Sequence, residues 1–419
     1  MSTLSFNRNL LENITKGLEY SPVVLLNGAR QTGKSTIAQE LVNSGKLKSY
    51  ITLDDPLVLS TLLTSPVGYL ESLPVGTVID EIQRAPEIFT SIKYVVDKDR
   101  QKGRFLLTGS ANVLLLPKLS DSLAGRMEVH TLRTLSQGEI EGTKEDFIDW
   151  LFSNNSQNYT VTECDNVIER VIKGGYPELI LDNRDERSTY TWFQSYLNSL
   201  LLRDIKDIAN IEQAGLMPIL LKMLAARTGN LVNYNDIARS ISDLNTKTLS
   251  RYVNILELLY ITELLPAWYT NYSKRLIKSP KSYLSDTGLI AFLLGISNQT
   301  LQTDRNLFGN LLENFVFQEL QKQRGWSKVF TSIHFMRTSD GEEIDFILED
   351  SQGRIVAIEV KATTSIDTKD VAKIKKLRSE LGSKFHRGIV LYTGSHILKV
   401  DESLYFMPIQ TLWREKEVV

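Results

Sequence analysis

The residues Gly28-Ala29-Arg30-Gln31-Thr32-Gly33-Lys34-Ser35 fit the phosphate-binding spacing G-x-x-x-x-G-K-[ST] at every fixed position. The residue types dictate the chemistry. Gly28 and Gly33 let the backbone turn tightly, so that the N–H groups of Ala29, Arg30, Gln31, Thr32 and on to Thr36 face phosphate oxygens. Lys34 is a point charge for the β- and γ-phosphates of ATP, and Ser35 offers a hydroxyl to Mg²⁺. About 45 residues later, Val78-Ile79-Asp80-Glu81 ends an apolar run in two carboxylates. Asp80 is placed to hold Mg²⁺ through water, and Glu81 to orient or deprotonate the attacking water.

Thr108 and Ser110 close a third apolar run, Arg104 to Leu107, and are candidate sensors of the γ-phosphate. Arg126, in Leu123-Ala124-Gly125-Arg126, is the candidate for stabilising charge on the transferring phosphoryl group, an effect of about 10³–10⁵ in rate. It would act on its own nucleotide or on a neighbour's; action in trans requires a homo-oligomer.

A second constellation lies in the last third of the chain. Asp345 sits in the strand-like Glu343 to Leu348, and Glu359 and Lys361 in Ile355 to Lys361. Residues two apart in a strand share a face, and the spacing from 345 to 359 leaves room for a turn and an adjacent strand. Two carboxylates and a lysine on neighbouring strands suit a Mg²⁺-dependent phosphodiesterase. Asp345 and Glu359 would hold the metal, helical Glu313 would join them, and Lys361 would position water or neutralise charge.

These groups need elements to hold them. Val23 to Asn27 reads as a buried strand and Ser35 to Val42 as a helix, the context that the loop requires. Ser49 to Leu53, Val75 to Glu81, Arg104 to Ser110 and Met127 to Leu132 read as further strands, alternating with helices. That alternation predicts a parallel sheet with helices on both faces and a ligand site at the carboxyl ends of the strands. Residues 1–22 read as a lead-in helix and 185–208 as a long one. From Met217 to about Tyr260 the pattern becomes a helix-turn-helix, with Lys247 to Arg251 opening its second helix. Residues 266–284 then hold Lys274, Arg275, Lys278 and Lys281, no acidic residue, and interleaved Trp268, Tyr269, Tyr272 and Tyr283. This is expected to be a wing hairpin with a phosphate-contacting and base-stacking surface. Gly295 to Asn306, polar and without periodicity, is the expected linker.

Composition narrows the field. The 419 residues suggest about three domains, and 48 basic against 50 acidic residues give a balance of −2. A basic surface must therefore be local. The lone Cys164 excludes an internal disulfide and a cysteine zinc site, and the four histidines lack ligand spacing. No signal-peptide core or membrane-length apolar run appears, so a soluble, cytoplasmic protein is expected.

Taken together these motifs resemble the bacterial and archaeal P-loop ATPases of the AAA superfamily that carry a C-terminal domain of unknown function. The resemblance rests on Gly28–Thr36, Leu53-Asp54-Asp55-Pro56, Ile79-Asp80-Glu81-Ile82-Gln83, Leu107-Thr108-Gly109-Ser110-Ala111, Leu123-Ala124-Gly125-Arg126 and Gly174-Gly175-Tyr176-Pro177. It extends through Ser279-Pro280-Lys281, Ser285-Asp286-Thr287-Gly288-Leu289, Gly309 to Glu313, Glu343-Ile344-Asp345 and Ile358-Glu359-Val360-Lys361. It implies an α/β chain with an AAA-type parallel-sheet module over 1–210, a winged helix-turn-helix over 211–300 and an α/β restriction-endonuclease-like domain over 301–419. ATP and Mg²⁺ are the implied cofactors and DNA the implied partner. Thr-Gly-Ser stands where AAA ATPases usually have a sensor asparagine. The resulting expectation is ATP hydrolysis switching DNA binding or remodelling, with a Mg²⁺-dependent nuclease-like C-terminal domain. The alternative is a signalling ATPase whose winged helix docks a protein.

Overall fold

Five short segments rich in apolar residues build the first sheet: β1 (Val23–Asn27), β2 (Ser49–Thr52), β3 (Thr77–Asp80), β4 (Phe105–Gly109) and β5 (Met127–Thr131). The computed structural model describes residues 6–111, 123–154, 166–182, 184–201, 214–241, 244–269, 279–338 and 341–413. All pairings in this sheet are parallel, in the order β2-β3-β4-β1-β5. Every residue of β1, β3 and β4 is buried, which is why these runs lack polar alternation. Successive side chains point to opposite faces. Val23, Leu25, Ile79, Phe105 and Leu107 therefore pack with Phe89 and Ile92 of helix Phe89–Lys98. Val24, Leu26, Val78 and Leu106 pack with Ile14 of helix Leu11–Tyr20 and Ile37 and Leu41 of helix Lys34–Asn43.

The strand order decides the site. β4 is inserted between β1 and β3, so the loop after β1 and the carboxylates ending β3 flank the tip of β4.

Beyond this layer, helix Glu186–Ser199 buries Trp192, Phe193, Tyr196 and Leu197; residues 202–208 of the long helix expected over 185–208 lie outside the described residues. Helices Met217–Ala226, Tyr234–Ser240 and Thr246–Leu258 follow. Asn233 and Asn245 cap the second and third, accepting from the N–H groups of Asp236 and Thr248. Strands β6 (Thr262–Leu265) and β7 (Lys281–Leu284) pair antiparallel. The expected linker is structured: Ser297 caps helix Asn298–Thr303, and Leu301 anchors it in the core. A polar helix with one buried side chain leaves no apolar period to read.

The last sheet combines β8 (Thr331–Arg337), β9 (Glu343–Asp350), β10 (Ile355–Lys361), β11 (Phe385–Tyr392), β12 (Leu398–Lys399) and β13 (Leu404–Pro408) in the order β12-β13-β11-β10-β9-β8. β8, β9 and β10 are antiparallel, whereas β10, β11 and β13 run parallel. Helix Arg305–Arg324 buries Phe308, Leu311, Leu312, Phe315 and Phe317. One apolar core continues from Phe147 through the middle helices to Trp413, so the middle and C-terminal parts share an interior. Among the described residues no helix is long and apolar enough to cross a membrane.

Candidate nucleotide site and a second carboxylate cluster

The loop after β1 turns through backbone angles that favour glycine, with φ of 141° at Gly28 and 95° at Gly33. A Cβ on Gly28 would lie 2.1 Å from the carbonyl oxygen of Leu132, so this position admits no side chain. Helix Lys34–Asn43 starts directly after Gly33, which puts its free N–H groups at the loop. Lys34 is 7% exposed, and its Nζ donates to the carbonyls of Gly28 at 2.9 Å and Ala29 at 2.7 Å. The ammonium is thus held over the loop it must serve. Thr32 Oγ1 donates to Ala29 O at 2.9 Å and stiffens the turn. Gln31 is exposed, with φ of 66°, and Thr36 is exposed at the helix start.

Asp80 ends β3 and accepts three hydroxyls. Ser35 Oγ is 3.1 Å from both carboxylate oxygens, Tyr50 Oη donates to Oδ2 at 2.5 Å, and Thr108 Oγ1 donates to Oδ1. Burial and the hydrogen bond to Asp80 raise the Tyr50 phenol above its ordinary pKa, so Tyr50 stays a donor. Glu81 sits in the left-handed region at φ 60°, ψ 44°. A non-glycine residue there costs about 1–2 kcal/mol, and such strain collects at sites where orientation matters. Gln83 Nε2 donates to Glu81 Oε2 and, at 2.8 Å, to Ser110 Oγ. Thr108 therefore touches the first carboxylate, and Ser110 reaches the second at 3.5 Å.

The structure adds groups that spacing did not mark. Arg8, 7% exposed, donates to Thr32 O and Arg133 O, both at 2.8 Å, and pairs with Glu139 at 3.1 Å. It clamps the loop from 24 residues upstream. Arg30 Nη1 donates to Ser199 Oγ at 2.7 Å, tying the loop to helix Glu186–Ser199. Tyr50 carried no spacing signal. Gln83 stood within a recognised motif but without a role.

Arg126 lies elsewhere. Its carbonyl accepts from Val23 N, at the start of β1, whereas the phosphate loop follows the end of that strand. Five strand residues at about 3.3 Å each separate the two ends by about 16 Å. Its guanidinium grips Asp97 through Nε and, at 3.0 Å, through Nη2. Arg126 is not gathered with Lys34, Asp80 and Glu81 in the same chain, which removes action on its own nucleotide.

Gly174 and Gly175 meet the later Ser-Asp-Thr-Gly motif. Gly175 N donates to Asp286 Oδ2 at 2.8 Å, while Asp286 caps helix Thr287–Leu294. Nearby, Glu319 accepts from Gln137 N at 2.9 Å, and Lys322 donates to Leu135 O at 2.9 Å. Helix Arg305–Arg324 is thereby joined to the segment leaving β5.

The C-terminal carboxylates converge as well. β9 and β10 pair antiparallel with Phe346 opposite Ile358, which sets Asp345 beside Glu359. Asp345 Oδ2 accepts from Val360 N at 2.8 Å. Burial, then the charges of Glu313 and Glu359, push the Asp345 carboxyl well above its usual range. Glu359 Oε1 accepts from Lys361 at 2.8 Å and Lys373 at 3.3 Å, while its Oε2 is buried without a partner. Glu313 Oε1 accepts from Tyr283 Oη at 2.6 Å and from Lys281 Nζ at 2.8 Å.

Two expectations change here. Lys281 is 1% exposed and faces these carboxylates, so it makes no surface phosphate contact. Trp268 is 6% exposed with its Nε1 on Glu349, and Tyr283 is buried, so neither ring can stack a base. Residues 270–278, including Tyr272, Lys274, Arg275 and Lys278, lie outside the described residues. Mg²⁺ does not fit at Glu313, Asp345 and Glu359 as they are paired here: one oxygen of each is already held by ammonium, phenol or amide donors. Among the described residues no group of three or more histidine, cysteine, aspartate or glutamate side chains is arranged for a metal ion. At the loop, Mg²⁺ together with ATP does fit, since the Ser35 hydroxyl and a fixed Asp80 carboxylate face each other.

Comparison with known proteins gives three matched regions. The sequence matches an AAA domain over residues 20–141. It matches a domain of unknown function (DUF8612) over 164–300 and another (DUF4143) over 308–412. The protein Rv2008c of Mycobacterium tuberculosis is 30% identical over 403 residues, covering 96% of this chain and 83% of its own. Mb2031c of Mycobacterium bovis matches with the same figures. Among solved structures, the Walker-type ATPase PABY2304 of Pyrococcus abyssi is similar with a TM-score of 0.43 and 14% identity, over 68% of this chain and 94% of that one. The chain therefore belongs to the protein family that includes the mycobacterial Rv2008c and Mb2031c, with an AAA-superfamily P-loop ATPase domain in its N-terminal part.

Proposed function

We propose that this protein hydrolyses ATP at the Gly28–Ser35 loop and uses the nucleotide state to switch a DNA-binding second half. The observation that carries the reading is the Asp80 carboxylate, fixed by Ser35, Tyr50 and Thr108, beside a Glu81 held by Gln83. Binding alone needs the loop; hydrolysis needs a second carboxylate placed for the attacking water. Lys34 binds the β- and γ-phosphates, the loop N–H groups orient them, and Glu81 receives the proton of the water. Mg²⁺, held by Ser35 and Asp80, supplies charge neutralisation at the phosphates when bound.

Arg30 with Ser199 and Arg8 with Glu139 give the loop direct connections to the helical region. What supports DNA as the partner is the winged-helix-like order of three helices and a strand pair, with Lys247 and Arg251 at the start of the third helix. The last sheet enters this reading as a restriction-endonuclease-like fold that binds DNA without cutting it. Association of chains, with Arg126 reaching a neighbour's nucleotide, is the form in which that residue contributes.

A second reading is a signalling ATPase whose middle domain docks a protein. It is favoured by the inward burial of Trp268, Tyr283 and Lys281. The test is ATP hydrolysis and fluorescence-anisotropy binding by the full chain on single-stranded, duplex and branched DNA at low salt, with and without nucleotide. Nucleotide-dependent DNA binding and hydrolysis lost in Lys34→Ala are expected. Hydrolysis without any DNA binding or stimulation overturns the DNA reading in favour of the second.

A further inference from the structure

The carboxylate cluster of the last sheet already contains a cation, and that cation comes from another part of the chain. Lys281 belongs to β7, the strand paired with β6 in the middle region. Its side chain is 2% exposed. Nζ donates to Glu313 Oε1 at 2.8 Å and pairs with Glu343 Oε1, and it lies 5.6 Å from the centre of the Phe335 ring. Burial opposes its charge, but Glu313, Asp345 and Glu343 outweigh that and hold the ammonium above its ordinary pKa. Lysine suits this task because its ammonium is a compact point charge with three donors.

The surrounding charges show what is balanced. Glu313, Glu343, Asp345 and Glu359 face Lys281, Lys361 and Lys373, with Arg337 3.8 Å from Glu343 at the rim. Glu359 Oε2 is buried and unpartnered, although Glu359 itself is only 3% exposed. A buried carboxylate oxygen normally has a donor or a metal. The cluster thus has the carboxylates of a metal-dependent phosphodiesterase site, one orphaned oxygen, and an ammonium on the carboxylates that would otherwise complete it.

We infer that Lys281 is the resident cation of this cluster and closes it to divalent metal. The cluster takes up a Mn²⁺- or Mg²⁺-like ion only when that ammonium is removed by substitution. The inference stands apart from ATP hydrolysis and DNA binding, neither of which enters its test.

The experiment measures Mn²⁺ binding to the nucleotide-free full chain by the loss of the free-ion paramagnetic resonance signal. Wild type, Asp345→Asn, Lys281→Met and the double variant are compared, so that Mn²⁺ held elsewhere is common to all four. Wild type and Asp345→Asn are expected to bind alike. Lys281→Met is expected to gain one Mn²⁺ that the double variant lacks, at least tenfold tighter than any at this cluster in wild type. Asp345-dependent Mn²⁺ in wild type overturns the inference. So does a Lys281→Met protein, folded by circular dichroism, that gains none, since Lys281 would then be a structural ion pair. If Lys281→Met does not fold, Lys281→Gln, which keeps a donor for Glu313, takes its place in the same comparison, and the wild-type arm remains decisive by itself.

Discussion

Ser35 Oγ stands 3.1 Å from each carboxylate oxygen of Asp80, bridging 45 residues of sequence at the tips of β1 and β3. The contact exists because β4 lies between those strands and its Thr108 holds Asp80 from the side. Glu81 follows in a strained conformation, aimed by Gln83 and Ser110. Glu81→Gln is expected to keep nucleotide affinity within about threefold while lowering kcat by about 10²–10⁴. Steady-state hydrolysis alongside binding of a fluorescent ATP analogue measures both.

Gln83 is a positioning residue. Gln83→Ala leaves Glu81 in place but frees its carboxylate, so kcat should fall by about tenfold with KM unchanged. A KM increase of the same size would mean that Gln83 acts through binding instead. The conservative Gln83→Asn is expected to restore little, because the shorter amide cannot reach both Glu81 and Ser110.

Gly174 occupies φ 67°, and a Cβ there would lie 2.1 Å from Asp286 Oδ1. Gly174→Ala is expected to destabilise the chain by at least about 2 kcal/mol, through backbone strain plus collision with the buried cap. Gly142, at φ 75° with nothing within 4 Å, is the control for strain alone. Its alanine variant should lose about 1 kcal/mol. Thermal denaturation of both variants separates the two causes.

Glu257 supplies a pH dependence. Burial raises its carboxyl from 4.5 to about 7, against a hydrogen bond from Leu264 N at 3.1 Å. The folded chain thus holds a proton that the unfolded chain gives up at lower pH. The contribution to stability is complete below about pH 4.5 and is lost as pH rises to about 7. Glu257→Gln cannot ionise, so the melting temperature of wild type minus that of the variant should decline between pH 5 and pH 8. A difference that grows over that range contradicts the assignment.

Arg126 pairs with Asp97 at the amino-terminal end of the strands. Arg126→Ala should therefore keep hydrolysis within about twofold at protein concentrations where chains do not associate, since the lost contact is a surface ion pair. A loss that appears only on association, and is rescued by mixing with Lys34→Ala chains, would place Arg126 at a neighbour's nucleotide.

Much of the nucleotide site was legible from local sequence. A phosphate loop is a contiguous stretch between a strand and a helix, and its glycines and Lys34 are dictated by backbone geometry within eight residues. The apolar runs of β1, β3 and β4 read as strands because both faces are buried. Asp345, Glu359 and Lys361 could be placed together because period-two geometry and one turn determine their neighbours. The helix in 298–303 was hidden, since its single buried leucine makes no period.

Partners brought from afar were decided only by the tertiary structure. Arg8 reaches Thr32 across 24 residues, Tyr50 reaches Asp80 across 30, and Lys281 reaches Glu313 across 32. A basic residue among aromatics reads alike whether it faces solvent or a buried carboxylate. Lys281 turned inward because Glu313, Glu343 and Asp345 of the last sheet and its supporting helix needed a charge there, and Arg126 fell before β5, at the wrong end of the sheet for its own loop. By itself the sequence determined which groups are arranged to meet a phosphate. The packing of the sheets and helices determined what each remaining charge is paired with, because burial makes an unpaired charge too costly to leave.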